Sequence, residues 1–475
     1  MRILIINPPR YDNSSVTREQ RCELIMNYRV DTPATLLIIA SLLREKNYQI
    51  KFIDANGINI NYEMLSNLLK TRNFDCLIFT FNSQIIDYDL ELCNIIKELN
   101  PKCITIGYSW YGRNYGKEII REYKNLDILM IDDPFSIIED LIDCISNNND
   151  LSNLRGIVFR DKNNLPIVTE DLNKRKKIND LPLPAYDLLK SFKPYYIYSP
   201  FFGPYALVYA GKGCPFGCTY CPAANTKYSG KSGEKIIEEL RLLKSLANVK
   251  YIWFFDEIFT INRKRTIKIC KNLIEGNLKI KWFCDSRVDL VDMDLLKLMR
   301  KAGCIGISYG VETGSEKILK LMNKNISLEK AKQTLKLTRK ANIPVQLNLL
   351  LGYIGETYKT LKETEIFIRE TIPDFVQVSV LQPLENTKFV KIAMENNWII
   401  EDLDWKKKLT RPHRKLINYE PYDLDLWQVR ENFMKMLRFY PKWWFYSLKT
   451  LIRNLRLLLP VFYTFLKKSE SISLI

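Results

Sequence analysis

The chain has 475 residues, 47% of them hydrophobic, enough for two or three packed cores and too apolar for a disordered segment. Its formal charge of +17 leaves nucleic acid, an anionic membrane or an acidic substrate open as a partner, although a general richness in Lys, Asn and Ile explains the same excess. No signal-like N-terminus and no run of 18 apolar residues is visible, so eleven cysteines point to a reducing cytoplasm and to no transmembrane helix.

Residues 1–150 alternate short apolar runs with helix-like stretches. Candidate strands are Ile3–Ile6, Gln49–Ile53, Cys76–Thr80, Cys103–Ile106 and Ile128–Ile131. Helical patterns lie near Thr35–Glu45, Tyr62–Leu69, Tyr88–Leu99, Lys117–Glu122 and Ser136–Cys144. This alternation predicts a doubly wound, flavodoxin-like parallel sheet, which binds ligands at the carboxyl ends of its strands. Asn7, Asp54, Asn82, Ser83 and Gly107 fall at those ends, where each is also an ordinary turn signal.

Residues 151–200 read as a connector, with a hairpin around Asp161–Asn164 and a Pro-rich crossing at 181–187. Residues 201–400 carry six more candidate strands, Ala206–Ala210, Lys250–Phe255, Ile280–Cys284, Cys304–Tyr309, Pro344–Leu351 and Phe375–Val380, separated by helical patterns. That predicts a partial (β/α)6 barrel of the TIM type, with its chemistry at the strands' C-terminal ends. Residues 401–475 read as a basic, aromatic, helical extension.

After the first barrel strand comes C-P-F-G-C-T-Y-C, with Cys214, Cys218 and Cys221 in one tight loop. Thiolates are the ligands of iron–sulfur clusters, and three of them hold three irons of a four-iron cluster and leave the fourth open. Structural zinc wants four ligands, commonly as two spaced pairs, and no second pair exists; the single His413 is remote. Cys270, Cys284 and Cys304 read as packing residues.

The cysteine stretch resembles the CxxxCxxC signature of the radical S-adenosylmethionine (radical SAM) enzymes. Later strand ends match the same pattern: F-F-D-E-I-F-T at 254–260, W-F-C-D-S-R at 282–287, G-I-S-Y-G-V-E-T-G at 306–314, and L-L-L-G-Y-I-G-E-T at 349–357, where Ile354 replaces a usual Pro. The resemblance implies a 4Fe-4S cluster on the three cysteines and S-adenosyl-L-methionine on the open iron. It implies Tyr220 near the adenine, Asp256 or Glu257 on the cofactor's ammonium or on substrate, Arg287 on its carboxylate, and Glu312 reaching the cofactor. The acids also suit helix caps, and Arg287 suits an ion pair.

The first 150 residues resemble the cobalamin-binding domain of one large radical SAM subfamily. They share N-P-P after the first strand, P-x-x-L-L-x-I-A-x-L-L from Pro33 to Leu43, and Ile53-Asp54. That resemblance implies cobalamin held near Asn7, Asn82, Ser83 and Gly107. Two departures narrow or reshape such a site: Gly107-Tyr108 stands for a Gly-Gly pair, and Asp132-Asp133-Pro134-Phe135 for a Gly-Glu-Gly-Glu run.

The implied activity is reductive cleavage of S-adenosylmethionine to a 5′-deoxyadenosyl radical, which modifies an unactivated carbon of a small-molecule substrate, with cobalamin-dependent C-methylation the leading outcome. An external electron donor of flavodoxin or ferredoxin type is implied as well. Oxidative cyclisation or rearrangement stays open. So do a tRNA methylthiotransferase with a second cluster on Cys22, Cys76 and Cys103, and a non-catalytic cluster-binding protein. Nucleic acid is not the expected partner. From Lys435 to Ile475, eight Lys or Arg stand against one Glu amid Trp, Phe, Tyr and Leu. That pattern suits peripheral membrane contact or a hydrophobic or acidic substrate, and equally helices packed on the barrel.

Overall fold

The computed structural model describes residues 1–19, 22–26, 30–192, 195, 197–199, 202–381, 383–384, 387–398, 404–406 and 426–438. The first unit runs in chain order β1 (Arg2–Asn7), β2 (Ser15–Glu19), β3 (Cys22–Met26), α1 (Ala34–Glu45), β4 (Gln49–Asp54), α2 (Ala55–Ile58), α3 (Tyr62–Leu69), β5 (Cys76–Thr80), α4 (Ile86–Leu99), β6 (Ile104–Tyr108), α5 (Gly116–Glu122), β7 (Ile128–Met130), α6 (Pro134–Ser146), β8 (Ile157–Arg160) and β9 (Pro166–Val168). Its sheet has the order β4-β1-β5-β6-β7-β8-β9, parallel through β7 and antiparallel beyond. The hairpin expected in the connector therefore extends this sheet.

Strand periodicity explains why the sheet is covered on both faces. In β1, Ile3 and Ile5 pack with Ile38, Leu42, Ile138 and Leu141 of α1 and α6. Leu4 and Ile6 face the other way, onto Leu65, Leu90 and Ile119 of α3, α4 and α5. The α1 face also takes Leu207 and Tyr209 from the second sheet, so the two units share a core.

The second unit follows as β10 (Ile197–Ser199), β11 (Phe202–Tyr209), β12 (Gly211–Lys212), β13 (Ser229–Gly230), α7 (Gly233–Ala247), β14 (Tyr251–Phe255), α8 (Arg263–Glu275), β15 (Lys281–Ser286), α9 (Met293–Lys301), β16 (Cys304–Glu312), α10 (Glu316–Leu321), α11 (Leu328–Lys340), β17 (Val345–Leu351), α12 (Tyr358–Thr371), β18 (Phe375–Val380), α13 (Lys388–Glu395) and α14 (Leu426–Arg438). Six parallel strands pair in chain order from β11 to β18, with β10 antiparallel on the outer side of β11. β11 and β18 lie far apart in this order, so the barrel is open, as expected. α14 covers the β18 side: Phe433 is buried in the barrel's helix-side core, and Arg430 Nε donates to the Val378 carbonyl at 3.1 Å. The expected basic tail beyond Arg438 lies outside the described residues.

The hairpin β2–β3 has no counterpart in the sequence reading, because its T-R-E-Q-R-C-E run looks like a solvated loop. In the fold it lies over the carboxyl ends of the first sheet. Arg18 and Asp89 form an ion pair at 2.6 Å with side chains 1% and 0% exposed. Arg18 also donates to Asn7 Oδ1 and to the Pro8 and Pro9 carbonyls. Glu19 accepts from the Thr35 N–H at the start of α1, where Pro33 provides no side-chain cap, and from the Tyr209 hydroxyl of β11.

Removing one partner of a fully buried pair strands a charge, so Arg18→Ala should cost about 3–5 kcal/mol of unfolding free energy. Replacing Arg18 and Asp89 together by Met and Leu should restore most of it in urea titrations; an equal loss in single and double variants would remove the pairing argument. Glu19 supplies a pH signature. Burial pushes its carboxyl from 4.5 up to about 8, against its bonds from Thr35 and Tyr209. A raised acid binds its proton more tightly in the folded state, so this stabilisation is full below 4.5 and lost as pH rises through 8. Glu19→Gln should flatten the fall in urea midpoint between pH 5 and pH 9.

Candidate functional site

The cysteine loop leaves the C-terminal end of β11. β12 and β13 pair at its root, making residues 213–228 one excursion. Gly213 has φ +93°, and a Cβ there would lie 2.3 Å from the Lys227 carbonyl oxygen, so only glycine turns the chain here. The Cys214 N–H donates to Thr226 Oγ1 and the Thr226 N–H to the Cys214 carbonyl, both at 2.9 Å. Cys218 is buried, Cys214 and Cys221 are half-buried, and none is in a disulfide. Burial, then the neighbouring Cys221 and Cys218, push the Cys214 thiol up. No group of three or more His, Cys, Asp or Glu among the described residues gathers about a point where one metal ion would sit. A four-iron cluster takes one thiolate per iron, which three thiols on one loop can supply to three of its irons.

Distant segments clasp the loop. Thr219 donates its N–H to the Met322 carbonyl at 3.0 Å and accepts at its carbonyl from the Phe389 N–H at 2.9 Å. Its hydroxyl meets that of Tyr353. Asn323 Nδ2 donates to the Gly217 carbonyl at 2.7 Å, and Glu257 accepts from the Gly213 N–H at 3.0 Å. The Arg287 guanidinium stacks 3.7 Å from the centre of the Phe216 ring, while its nitrogens bond Asp289 and the Lys324 carbonyl.

Beside the cysteines sits a half-buried polar cluster. Lys324 Nζ lies 2.8 Å from Glu312 Oε1 and 3.2 Å from the Tyr220 hydroxyl. Glu312 has φ +77° at a register skip between β16 and β17, an uncommon backbone for a non-glycine residue. Burial, then Glu312, hold the Tyr220 hydroxyl far above its usual range, so it stays neutral. Burial lowers the Lys324 ammonium, but Glu312 and Cys218 outweigh it and raise it, so it stays charged.

The fold thus brings Cys214, Cys218, Cys221, Tyr220, Arg287 and Glu312 together. Asp256 stands one step back. It accepts from Tyr228 at 2.9 Å, from Arg265 at 3.4 Å and from the Ile258 N–H, and burial pushes its carboxyl up to about 6. Its neighbour Glu257 is the acid that touches the loop. Lys324, Thr219, Asn323 and Tyr353 escaped the sequence reading. The M-N-K-N run at 322–325 looks only like a turn, and Asn323 and Asn325 do adopt positive φ.

Tyr251, Trp253 and Phe255 alternate with Ile252 and Phe254, which point to the helices. Tyr205, Tyr251, Trp253 and Phe283, with Ile305, make one mostly aromatic wall. Opposite, Asn348 Nδ2 donates to Ser308 Oγ at 2.8 Å and Gln346 Nε2 to Asn348 Oδ1 at 3.0 Å, and Asp285 accepts from the Trp253 indole at 3.0 Å.

The strand ends of the first unit are arranged otherwise than expected. Asn7, Asn82 and Ser83 are buried and satisfied by their own chain. Asn7 donates to Asp54 and accepts from Arg18, Asn82 Nδ2 donates to the Thr17 carbonyl, and the Ser83 N–H donates to Glu23 at 2.6 Å. Glu23 also takes the Ser109 hydroxyl at 2.7 Å. A Cβ on Gly107 would meet Leu126, Phe81 and Phe79 rather than open space. With the hairpin seated, these four positions do not fit as contacts for a corrin. Asp133 instead reaches the root of the cysteine loop, accepting from Lys212 at 2.8 Å. Cys76 opens β5 and Cys103 immediately precedes β6, at the opposite end of the sheet from Asn82 and Gly107 and buried, so they cannot join Cys22 in the hairpin around a second cluster.

The sequence profile of the Radical SAM superfamily matches residues 208–368, the stretch from β11 into α12. The chain carries a Radical SAM domain. It is 24% identical over 419 residues to an uncharacterised methyltransferase, PH0819, of Pyrococcus horikoshii, covering 86% of each chain. It is 25% identical over 393 residues to the anaerobic magnesium-protoporphyrin IX monomethyl ester cyclase of Rubrivivax gelatinosus, covering 81% of this chain and 68% of that one. In fold it is similar to the radical S-adenosylmethionine methyltransferase TsrM of Kitasatospora setae, solved with cobalamin and a [4Fe-4S] cluster. The TM-score is 0.67 and the identity 13%, over 84% of this chain and 79% of that one.

The clasp predicts how firmly a radical SAM cluster is held. Arg287→Ala removes the stacking on Phe216, and Asn323→Ala frees the Gly217 carbonyl. Either change should leave folding near wild type by circular dichroism yet lower the iron retained per chain after anaerobic reconstitution and desalting. Arg287→Lys should recover little, because an ammonium cannot stack as a planar guanidinium does.

Proposed function

We propose that this radical SAM enzyme methylates an unactivated carbon of a small-molecule substrate held in the barrel interior. The observation that carries the reading is the cysteine loop, clasped at the C-terminal end of β11 with buried Lys324 and half-buried Tyr220 and Glu312 beside it. When bound, the cluster and S-adenosylmethionine together supply a carbon-centred radical that attacks unactivated C–H bonds. Cys214, Cys218 and Cys221 would hold three irons. Lys324 is placed to meet a carboxylate and Glu312 an ammonium or hydroxyl. Arg287, its fork engaged by Asp289, positions the loop from behind Phe216. The aromatic wall suits a largely apolar substrate, and the Ser308–Asn348–Gln346 wall orients its polar groups.

Methyl transfer is favoured by the relative named as a methyltransferase and by the fold neighbour TsrM. The cobalamin reading rests on that neighbour and on the resemblance of the first unit, and gains nothing from the strand-end residues beneath the hairpin. A second reading, oxidative cyclisation, is favoured by the same closed strand ends and by the cyclase relative.

Anaerobic reconstitution followed by metal analysis and an assay of S-adenosylmethionine cleavage tests these together. About four irons per chain are expected, falling sharply with loss of cleavage in Cys214→Ala, Cys218→Ala and Cys221→Ala. About one cobalt per chain after incubation with cobalamin supports corrin-dependent methyl transfer. Four irons, cleavage and no cobalt shift the reading to cyclisation or rearrangement, and no cleavage at all removes the enzymatic reading.

A further inference from the structure

We infer that the face built by α10, the turn at residues 352–358 and α13 is the docking surface for an acidic one-electron carrier protein of flavodoxin or ferredoxin type. The inference rests on the cluster reading above, which requires an electron from outside the chain.

Ile318 and Met322 at α10, Tyr353 of the turn, and Phe389 and Val390 of α13 form one small core with Tyr220 packed against it. The Phe389 N–H bonds the carbonyl of Thr219, between Cys218 and Cys221. Ring centres step from Phe389 to Tyr353 at 5.6 Å and from Tyr353 to Tyr220 at 6.3 Å. The outer surface of these elements is therefore a single side-chain layer from the cysteines.

Lys317 and Lys320 stand three apart on α10, and Lys388 and Lys391 three apart on α13, so each pair shares a helix face. All four are exposed, and none makes an ion pair or side-chain hydrogen bond among the described residues. Between and beside them lie unusually exposed apolar groups: Leu321 at 42%, Tyr358 at 69% and Met394 at 50%. A Cβ on Gly355 would sit 3.0 Å from Leu321 Cδ1 and 3.8 Å from Lys317 Nζ, so the turn and α10 form one continuous surface. Lys359 adds a fifth exposed cation. The acids on the same elements are fewer: Glu316, which accepts from the Leu328 N–H, Glu356, buried inside the turn and accepting from the Gly352 N–H, and Glu395 at the far end of α13.

An apolar centre with a basic rim fits a small, short-lived contact with an acidic partner. Charge steers the encounter and the contact stays weak enough to release. One electron would leave the reduced carrier, and no bond is made or broken in this chain.

The test is binding, read separately from turnover. A purified acidic flavodoxin is titrated against the reconstituted full chain at low and high salt. The double variants K317E/K388E and K320E/K391E should bind at least tenfold more weakly at low salt, and wild-type affinity should fall as salt rises. Reversal at Lys301, exposed at the end of α9, should change nothing. Cleavage of S-adenosylmethionine driven by dithionite should be equal in all variants, while flavodoxin-driven cleavage drops with affinity. Equal flavodoxin affinity in wild type and both double variants overturns the inference. So does an equal loss in Lys301→Glu, or weakened oligonucleotide binding with flavodoxin binding intact. Failure of the cluster reading shows separately, as missing iron.

Discussion

Thr219 is held from both sides by parts of the chain more than a hundred residues away. Its N–H goes to Met322 and its carbonyl receives Phe389, while its hydroxyl meets Tyr353. A loop that carries three thiols along with Pro215 and Gly217 has little rigidity of its own, and ordering each backbone residue costs about 1–2 kcal/mol. The segments after β16, β17 and β18 each contribute to the clasp, so the cysteine geometry depends on the last three barrel strands as much as on the first. The open barrel is what permits this. With β18 unpaired to β11, the start of α13 can reach across to the loop that leaves β11.

The same root ties the two units together. Lys212, two residues before Cys214, bonds Asp133 at the head of α6, and Tyr209 at the end of β11 bonds Glu19 of the hairpin. The hairpin in turn takes up the polar groups at the ends of β1, β5 and β6 with Arg18 and Glu23. The first unit therefore spends its strand-end polar groups on holding itself and the root of the cysteine loop.

Much of the fold was legible because periodicity reports burial. The alternation in β1 and β14 and the helices α1 and α3 were read within a residue or two of their observed bounds. The cysteine spacing is equally local, since a thiolate loop needs neither a partner strand nor a distant residue to be recognised. The hairpin was not legible. Arg18, Glu19 and Glu23 are charged, and charge in a sequence signals solvent unless the partner is known; Asp89 lies 71 residues from Arg18. Lys324 was hidden for a similar reason. Its turn is flanked by two asparagines that read as loop formers, and only the bulge at Glu312 turns a carboxylate toward it. Asp256 was read as a contact of the bound cofactor, but Arg265 and Tyr228, recruited from α8 and the β13 side, draw its oxygens into bracing instead.

Local pattern was thus enough for the two α/β units and the cysteine loop at a barrel strand's C-terminal end, because each depends on residues close in the chain. Tertiary structure alone decided which polar groups remain available for chemistry. A hydrogen bond once made within the chain is withdrawn from any ligand, and the partners that take Asn7, Asn82, Ser83, Asp256 and Arg287, or that leave Glu312 and Lys324 beside the cysteines, mostly come from other elements of the fold.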